Sequence, residues 1–435
     1  MPASAPHAAP AAPDSGETAP ERSARLTGQR VGGGFTTLYI LAIIGVWIAL
    51  LTPASVTLSL RIADLDPDNK ASSLALVAGV GAIFAMIANP VFGHFSDRCT
   101  SRWGRRRPFI VTGAVVGGAS LVVIGLAPSL PVVLVGWCMT QVALNAAMAA
   151  LIAVLPDRVP EERRGTVSGL MGMTNQVATV GGTFLVTATG TQGLSMFVVP
   201  SLLGLVLVGV FVFYLREIPR AKDEVAPISW REIPRSMWIN PLRHRDFAWA
   251  FVSRFLVWTG KALLLTYKTY FLMDHLGYTA DEAASILSWA MLVLAIGVVV
   301  GSNVSGWLSD RLQRRKIFIA VASLVFGAGM VLIALSSSVT GFVVGIAVAS
   351  VGQGIYVGVD YALVVSVLPN SETDAAKGMG LFNIANALPQ SVAPAIAPLF
   401  LAIGGGGSNY AALYLSAAGF ALLGAIAVAF VKSTR

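Results

Sequence analysis

GHFSDRCTSRWGRRRPF, residues 93–109, packs five arginines and one acid into a short polar stretch of a chain that is 12% charged overall. Its opening hexapeptide returns later: GHFSDR begins at Gly93 and GWLSDR at Gly306, an offset of 213 residues. A second pair of landmarks repeats that offset. PDRVPEERRG runs from Pro156 to Gly165 and PNSETDAAKG from Pro369 to Gly378, again 213 residues apart. Two unrelated stretches in one register, with no net insertion, point to a duplicated chain whose halves share one architecture.

The sequence between the landmarks shows what the halves are. The 435 residues are 55% hydrophobic, with a mean hydropathy of +0.73, whereas soluble domains carry about 25% charged residues. Most apolar runs exceed the ~18–20 residues that cross a bilayer. Breaks at polar, Pro and Gly clusters predict twelve spans, at 35–58, 72–95, 108–127, 131–155, 165–187, 195–215, 247–272, 283–308, 317–336, 340–367, 378–402 and 410–431. The runs do not alternate apolar with polar, which excludes a β-barrel. The predicted fold is therefore an all-α integral membrane protein of two pseudo-symmetric six-helix bundles. Residues 35–215 form the first bundle and 247–431 the second, with a linker at 216–246. Residues 1–34, rich in Ala, Pro, Ser and Gly, read as a disordered tail, and no cleavable signal peptide is recognisable.

The net charge of +8 belongs to loops, not to a nucleic-acid surface. The tail, the even-numbered loops and the C-terminus hold 25 of the 30 Lys and Arg residues, while the odd-numbered loops hold only Arg61 and Lys70. That asymmetry predicts cytoplasmic N- and C-termini, in a multi-pass protein of the cell (inner) membrane. Duplicated bundles of this kind place a solute site near the bilayer midplane, between the halves.

The motif starting at Gly93 resembles the loop motif G-x-x-x-D-R-x-G-R-R of the major facilitator superfamily of transporters. It is met here by Gly93, Asp97 and Arg98, then a longer turn ending in Gly104, Arg105 and Arg106. The resemblance covers essentially all of residues 35–431, and the extended form SDRCTSRWGRRRPF is closest to sucrose and glycoside–pentoside–hexuronide carriers. It implies a secondary transporter working by alternating access, with spans 1, 4, 7 and 10 lining the central cavity. It also implies a conformational latch in which Asp97 faces the start of span 11 near Gly378 and Arg98 or Arg102 reaches Asp157. Asp310 and Arg311 form the second copy of the device, weakened because Asn370 stands where Asp157 has its counterpart.

Charges at bilayer depth are functional candidates, because each costs at least ~2.5–3.5 kcal/mol to insert. Span 7 carries Arg254, Lys261 and Lys268 at heptad spacing, hence on one stripe. At 1.5 Å per residue they lie about 10, 20 and 30 Å from the cytoplasmic side. Asp360 in span 10, the one acid well inside a span, lies ~10 Å deep, level with Arg254. Either Arg254 snorkels to the interface, or it pairs with Asp360, or Asp360 binds a proton that Arg254 and Lys261 tune. Lys261, near the midplane, is the candidate contact for an anionic or polar solute, and Lys268 is read as interfacial. Gln141, Asn145, Asn175, Gln353, Tyr356 and Asn386 add neutral polar groups suited either to helix–helix hydrogen bonds or to a hydroxyl-rich ligand.

Absent motifs narrow the function. No Walker loop is present, so ATP is not the energy source. His7, His94, His244 and His275 lack metal spacing, and no cofactor is expected. The first six spans contain no acid within a membrane segment, which argues against a sodium site of the glycoside-carrier type. Val177 and Ala178 stand at the Gly-Pro positions of the exporter motif in span 5. The reading is a non-enzymatic transporter of a small polar solute, a sugar or glycoside, coupled to protons through Asp360 and functional as a monomer in the lipid bilayer. The alternatives are a drug or metabolite efflux antiporter and a transport-inactive membrane sensor.

Overall fold

The computed structural model describes residues 31–217, 245–312, 314–367, 375–404 and 408–431, with side chains at all of these except 310, 361, 362 and 364–383. Most of the tail and of the 216–246 linker, together with Asn370, lies outside the described residues. Among those described the structure is helical throughout. Its long helices are α1 (Gly33–Leu65), α2 (Lys70–Asp97), α3 (Arg107–Leu126), α4 (Leu130–Arg158), α5 (Glu161–Thr189) and α6 (Ser195–Tyr214), then α7 (Arg245–His275), α8 (Ala280–Leu312), α9 (Arg315–Ala334), α10 (Val339–Val367), α11 (Ala375–Leu401) and α12 (Tyr410–Ala429). Each predicted span falls on one helix in order.

Eleven of the twelve are apolar enough to cross a membrane by composition, and α5 is the exception. Its polarity is largely internal. The hydroxyls of Thr179, Thr183, Thr187 and Thr189 each donate to the carbonyl four residues back, at 2.8–3.2 Å. A threonine bonded to its own helix presents its methyl group outward, so the desolvation cost of a buried hydroxyl is largely avoided. Local signals set several helix starts. Pro108 and Pro131 occupy first-turn positions of α3 and α4, where a missing N–H costs nothing. Thr279 and Glu282 form a capping box at α8: the Thr279 amide donates to Glu282 at 2.9 Å and the Glu282 amide to the Thr279 hydroxyl at 3.4 Å.

The duplication is visible in the packing. In the first half α2 packs on α4, α3 on α4, α1 on α6, α3 on α6 and α1 on α5. In the second, α8 packs on α10, α9 on α10, α7 on α12, α9 on α12 and α7 on α11, the same scheme shifted by six helices. The most extensive contacts between the halves are α2 with α11 and α5 with α8, which are counterparts of each other, and α7 also meets α1 and α2. Both α1 and α7 carry a single π-helical turn, at Pro53–Thr57 and Phe271–His275. These turns lie toward one end of the bundle, called here the α1–α2 end. The arginine-rich loop lies at the other, the α2–α3 end.

Candidate functional site

Three groups of side chains stand out, one in the middle of the second half and one at each end. The central group begins with Arg254 on α7, which is 1% exposed, and Asp360 on α10, which is 4% exposed. The guanidinium Nη1 lies 3.1 Å from Asp360 Oδ2. Arg254 Nε also donates to Asn386 Oδ1 on α11 at 2.6 Å. Tyr356, one turn before Asp360, hydrogen-bonds to its carboxylate and to Ser253. Arg254 is thus held between α10 and α11 and does not snorkel to a surface. A carboxylate shared by a buried arginine and a tyrosine is paired well enough to exist out of water. Removing one partner leaves the other charge stranded, at about 3–5 kcal/mol.

Lys261 follows two turns along α7. Its Nζ lies 4.1 Å from the centroid of the Trp258 ring, and both residues line a narrow recess with Gln353 and Tyr356 of α10. The other polar candidates are placed differently. Asn145 donates to the Gln141 carbonyl at 2.8 Å and to the Gln141 side chain at 3.2 Å, so these two residues of α4 satisfy each other. Asn175 sits half-buried on α5, where its carbonyl accepts from Thr179.

Lys268 departs from its interfacial reading. It is fully buried, with Nζ donating to the carbonyls of Ser55 at 3.0 Å and Leu265 at 2.6 Å. Ser55 lies in the π-helical turn of α1, where the regular i+4 ladder is interrupted and carbonyls become free for outside donors. The Thr269 hydroxyl reaches the same carbonyl. This contact belongs to a set that ties the halves together at the α1–α2 end. Lys70 pairs with Asp274 at 2.5 Å, and within the second half Tyr410 donates to the same carboxylate at 2.5 Å. Tyr270 donates to the Ser59 carbonyl and Tyr267 to the Ala71 carbonyl. Thr191 bonds Asp281, and Thr187 bonds Ser288. The sequence carries no signal for this set, because each partner is remote in the chain and none repeats a motif.

At the α2–α3 end the arginine-rich loop is ordered around Arg106, which is 3% exposed. Arg106 donates to Asp97 at 2.5 Å, to Asp157 at 2.9 Å and to Ser96 at 2.5 Å. Arg105 also pairs with Asp157. The sequence reading assigns Asp157 to Arg98 or Arg102, and the structure gives it to Arg105 and Arg106 instead; Arg102 is exposed. The reason lies in Gly104, whose φ of +98° turns the chain back over the end of α4. Glu217, just past α6, completes the arrangement by accepting from the amides of Arg106 at 2.9 Å and Arg107 at 3.0 Å, the unpaired donors at the start of α3. Its burial pushes the carboxyl up from its ordinary range, while those amides and Arg106 pull it back. Glu217 escaped the sequence reading because it is one of five acids in the linker at 216–246 and nothing local distinguishes it from the others.

Gly93, at the head of the motif, faces the Ala149 methyl on α4. In the second copy Arg311 lies over the Trp307 ring, 5.6 Å from its centroid. The side chain of Asp310, and the expected approach of Asp97 to Gly378, lie outside the described side chains.

Comparison with known proteins agrees with this architecture. A segment of 57 residues is 49% identical to a sucrose transport protein of Arabidopsis thaliana, SUC4, covering 13% of this chain and 10% of that one. The match therefore spans about a tenth of that curated relative. Among solved structures, the nucleoside transporter NupG superposes with a TM-score of 0.71 at 15% identity, over 92% of this chain and 98% of that one. A D-xylose-proton symporter superposes with a TM-score of 0.68 at 16% identity, over 93% and 99%. The Major Facilitator Superfamily model matches residues 35–385 and 250–435. With twelve helices in two like bundles and a family model matching nearly the whole chain, the protein belongs to the major facilitator superfamily of membrane transporters.

Proposed function

We propose that the protein is a proton-coupled secondary transporter of a small hydroxylated solute, a sugar or glycoside, and that it works by alternating access. The observation that carries this reading is the buried Arg254–Asp360 pair at 3.1 Å, with Tyr356 and Asn386 completing it. A carboxylate in this position can exchange its arginine for a proton as the surrounding helices move. Because Arg254 touches both α10 and α11, and α11 packs on α2 of the other half, the protonation state of Asp360 is linked to the contact between the halves. The sugar assignment rests on the short, strong match to sucrose transport proteins and on the aromatic and amide side chains of Trp258 and Gln353 beside Lys261. The lysine and arginine asymmetry supports cytoplasmic termini in a cell membrane.

Bonds between the halves at the α1–α2 end favour a state closed there, which under this orientation is the outward side. The test is transport in proteoliposomes with an imposed pH gradient, using a panel of radiolabelled mono- and disaccharides. Wild-type protein should accumulate its solute only with the gradient. Asp360→Asn should abolish gradient-driven accumulation while retaining solute exchange at equilibrium. Gradient-driven accumulation surviving in Asp360→Asn would overturn the coupling role.

A further inference from the structure

We infer that the second bundle binds an anionic phospholipid on its membrane face, one acyl chain lying between α8, α9 and α10 and the headgroup phosphate at the α8–α9 turn. A groove of about 200 Å³ is lined there by Val300, Val304 and Leu308 of α8, Phe318 of α9, and Val351 and Ile355 of α10. Ser305 also faces it, but its hydroxyl is turned to the carbonyls of Ser302 and Ile355, each at 3.3 Å. The lining therefore makes no polar demand. Val300, Val304, Trp307, Ile317 and Val351 are all exposed around it, the apolar surface of a face turned to lipid. Val300 to Leu308 covers about 12 Å of α8 and stops about 6 Å short of Leu312, which places the groove within one leaflet.

The duplication shows that the fold does not require this groove. At the offset of 213, Ser305 and Leu308 correspond to Phe92 and Phe95. The turn after α2 is the longer one, so RRRPFI at 105–110 aligns with RRKIFI at 314–319, and Phe318 corresponds to Phe109. In the first bundle these rings pack together, Phe92 with Phe95 at 6.0 Å and with Phe109 at 6.3 Å between centroids. The first copy fills the position with its own side chains. The second keeps one ring and puts Ser and Leu in place of the others, and an empty groove would forfeit their dispersion contacts. In a bilayer an acyl chain supplies them.

The charges at the mouth diverge in the same direction. Arg105 and Arg106 pair with Asp157 in the first copy. Their counterparts are Arg314 and Arg315, and Asp157 corresponds to the uncharged Asn370. Residues 309–316, SDRLQRRK, hold four cations and one acid, and Arg311 stands three residues beyond Leu308. Arg311 and Arg314 are exposed. Trp307, whose ring centroid lies 5.6 Å from the Arg311 guanidinium, marks the headgroup boundary as interfacial indoles do. Such cations favour an anionic headgroup over a zwitterionic one. A second copy of the chain, docked here about a two-fold axis, would instead bring two basic turns together.

The experiment uses the purified, delipidated full-length protein with dioleoyl phosphatidylglycerol or dioleoyl phosphatidylcholine, which share acyl chains and differ in net charge. Native mass spectrometry counts retained lipid. Phosphatidylglycerol should half-saturate the protein at a concentration at least about fivefold lower, the scale of one cation acting on an anionic headgroup. Ser305→Phe with Leu308→Phe, which restores the filling of the first copy, should remove this retention. Arg311→Gln with Arg314→Gln should equalise the two lipids. Equal retention by wild-type protein overturns the inference, and that comparison depends on no variant folding. A preference unchanged in the double phenylalanine variant overturns the groove as the site, and Val304→Trp, at an exposed position, narrows the same groove if that variant aggregates. A preference unchanged in the double glutamine variant overturns the role of the two arginines. A dimer that the phenylalanines abolish gives the groove to a second copy and overturns the lipid. None of these outcomes depends on the solute, so the transport reading stands or falls separately.

Discussion

At Gly104 the backbone adopts φ +98°, a region that residues with a Cβ rarely enter, and a Cβ built there would lie 2.3 Å from both the Cβ and the carboxylate of Glu217. One residue thus decides which arginine of the cluster points inward. Gly104→Ala should destabilise the protein by about 1–3 kcal/mol, through strain and the displacement of Glu217. The thermal midpoint of the purified protein should fall, whereas Gly165→Ala, where no atom lies within 4 Å of a built Cβ, should leave it unchanged. The cluster and its acid head were readable from residues 93–109. The choice of Arg106 over Arg98 and Arg102 was not, because it depends on the direction of the chain after Gly104 and on Glu217, 111 residues from Arg106. The same holds at the centre. Arg254 and Asp360 could be matched by depth, but the contact with Asn386 needed the relative rotation of α7 and α11.

Single helices were the most legible level, since length and apolar content are local properties. Even so, two features of the elements exceeded what periodicity carries. The π-helical turns of α1 and α7 free backbone carbonyls, and one of those, Ser55, turns an apparently interfacial lysine into a buried one. The second feature is the closeness of α8 to α10. Gly301 and Gly354 face each other there, and a Cβ on Gly354 would stand 2.6 Å from the Val298 carbonyl and 2.9 Å from the Gly301 Cα. Without a hydrophobic drive between helices in lipid, such backbone proximity is a main source of attraction. Gly354→Val should therefore force the pair apart and cost about 1–3 kcal/mol. A lower thermal midpoint in detergent and a lower yield of monodisperse protein would register it, and an unchanged midpoint would show that α8 and α10 separate freely.

For the molecule as a whole, the six-helix repeat gives two bundles related by one packing scheme, and the conformation depends on how they meet. Lys268 bonds Ser55, which is its own counterpart 213 residues earlier, so this contact falls where the two halves exchange roles. Around it, Asp274 holds both Lys70 and Tyr410. Asp274→Ala removes the Lys70 tie between the halves at the α1–α2 end. For a part-exposed pair that is worth about 1 kcal/mol, an approximately fivefold shift in a two-state population. Spin labels at Asp68→Cys and Ser408→Cys, in a protein with Cys99 and Cys138 replaced by serine, should report a larger share of long distances in this variant. A distance distribution identical to the parent's would remove Asp274 from the seal.

The sequence by itself determined that the chain forms twelve long helices, most of them apolar enough to cross a membrane, that its halves are copies, and which long apolar segments carry charge. These follow from hydropathy, spacing and an offset that no folding can alter. The tertiary structure decided the partners: Arg106 with Asp97 and Asp157, Arg254 with Asp360 and Asn386, Lys268 with Ser55, and Lys261 with the face of Trp258. Partner choice arises from helix rotation, one glycine turn and two π-helical turns, and such geometry is set only when the helices pack against one another.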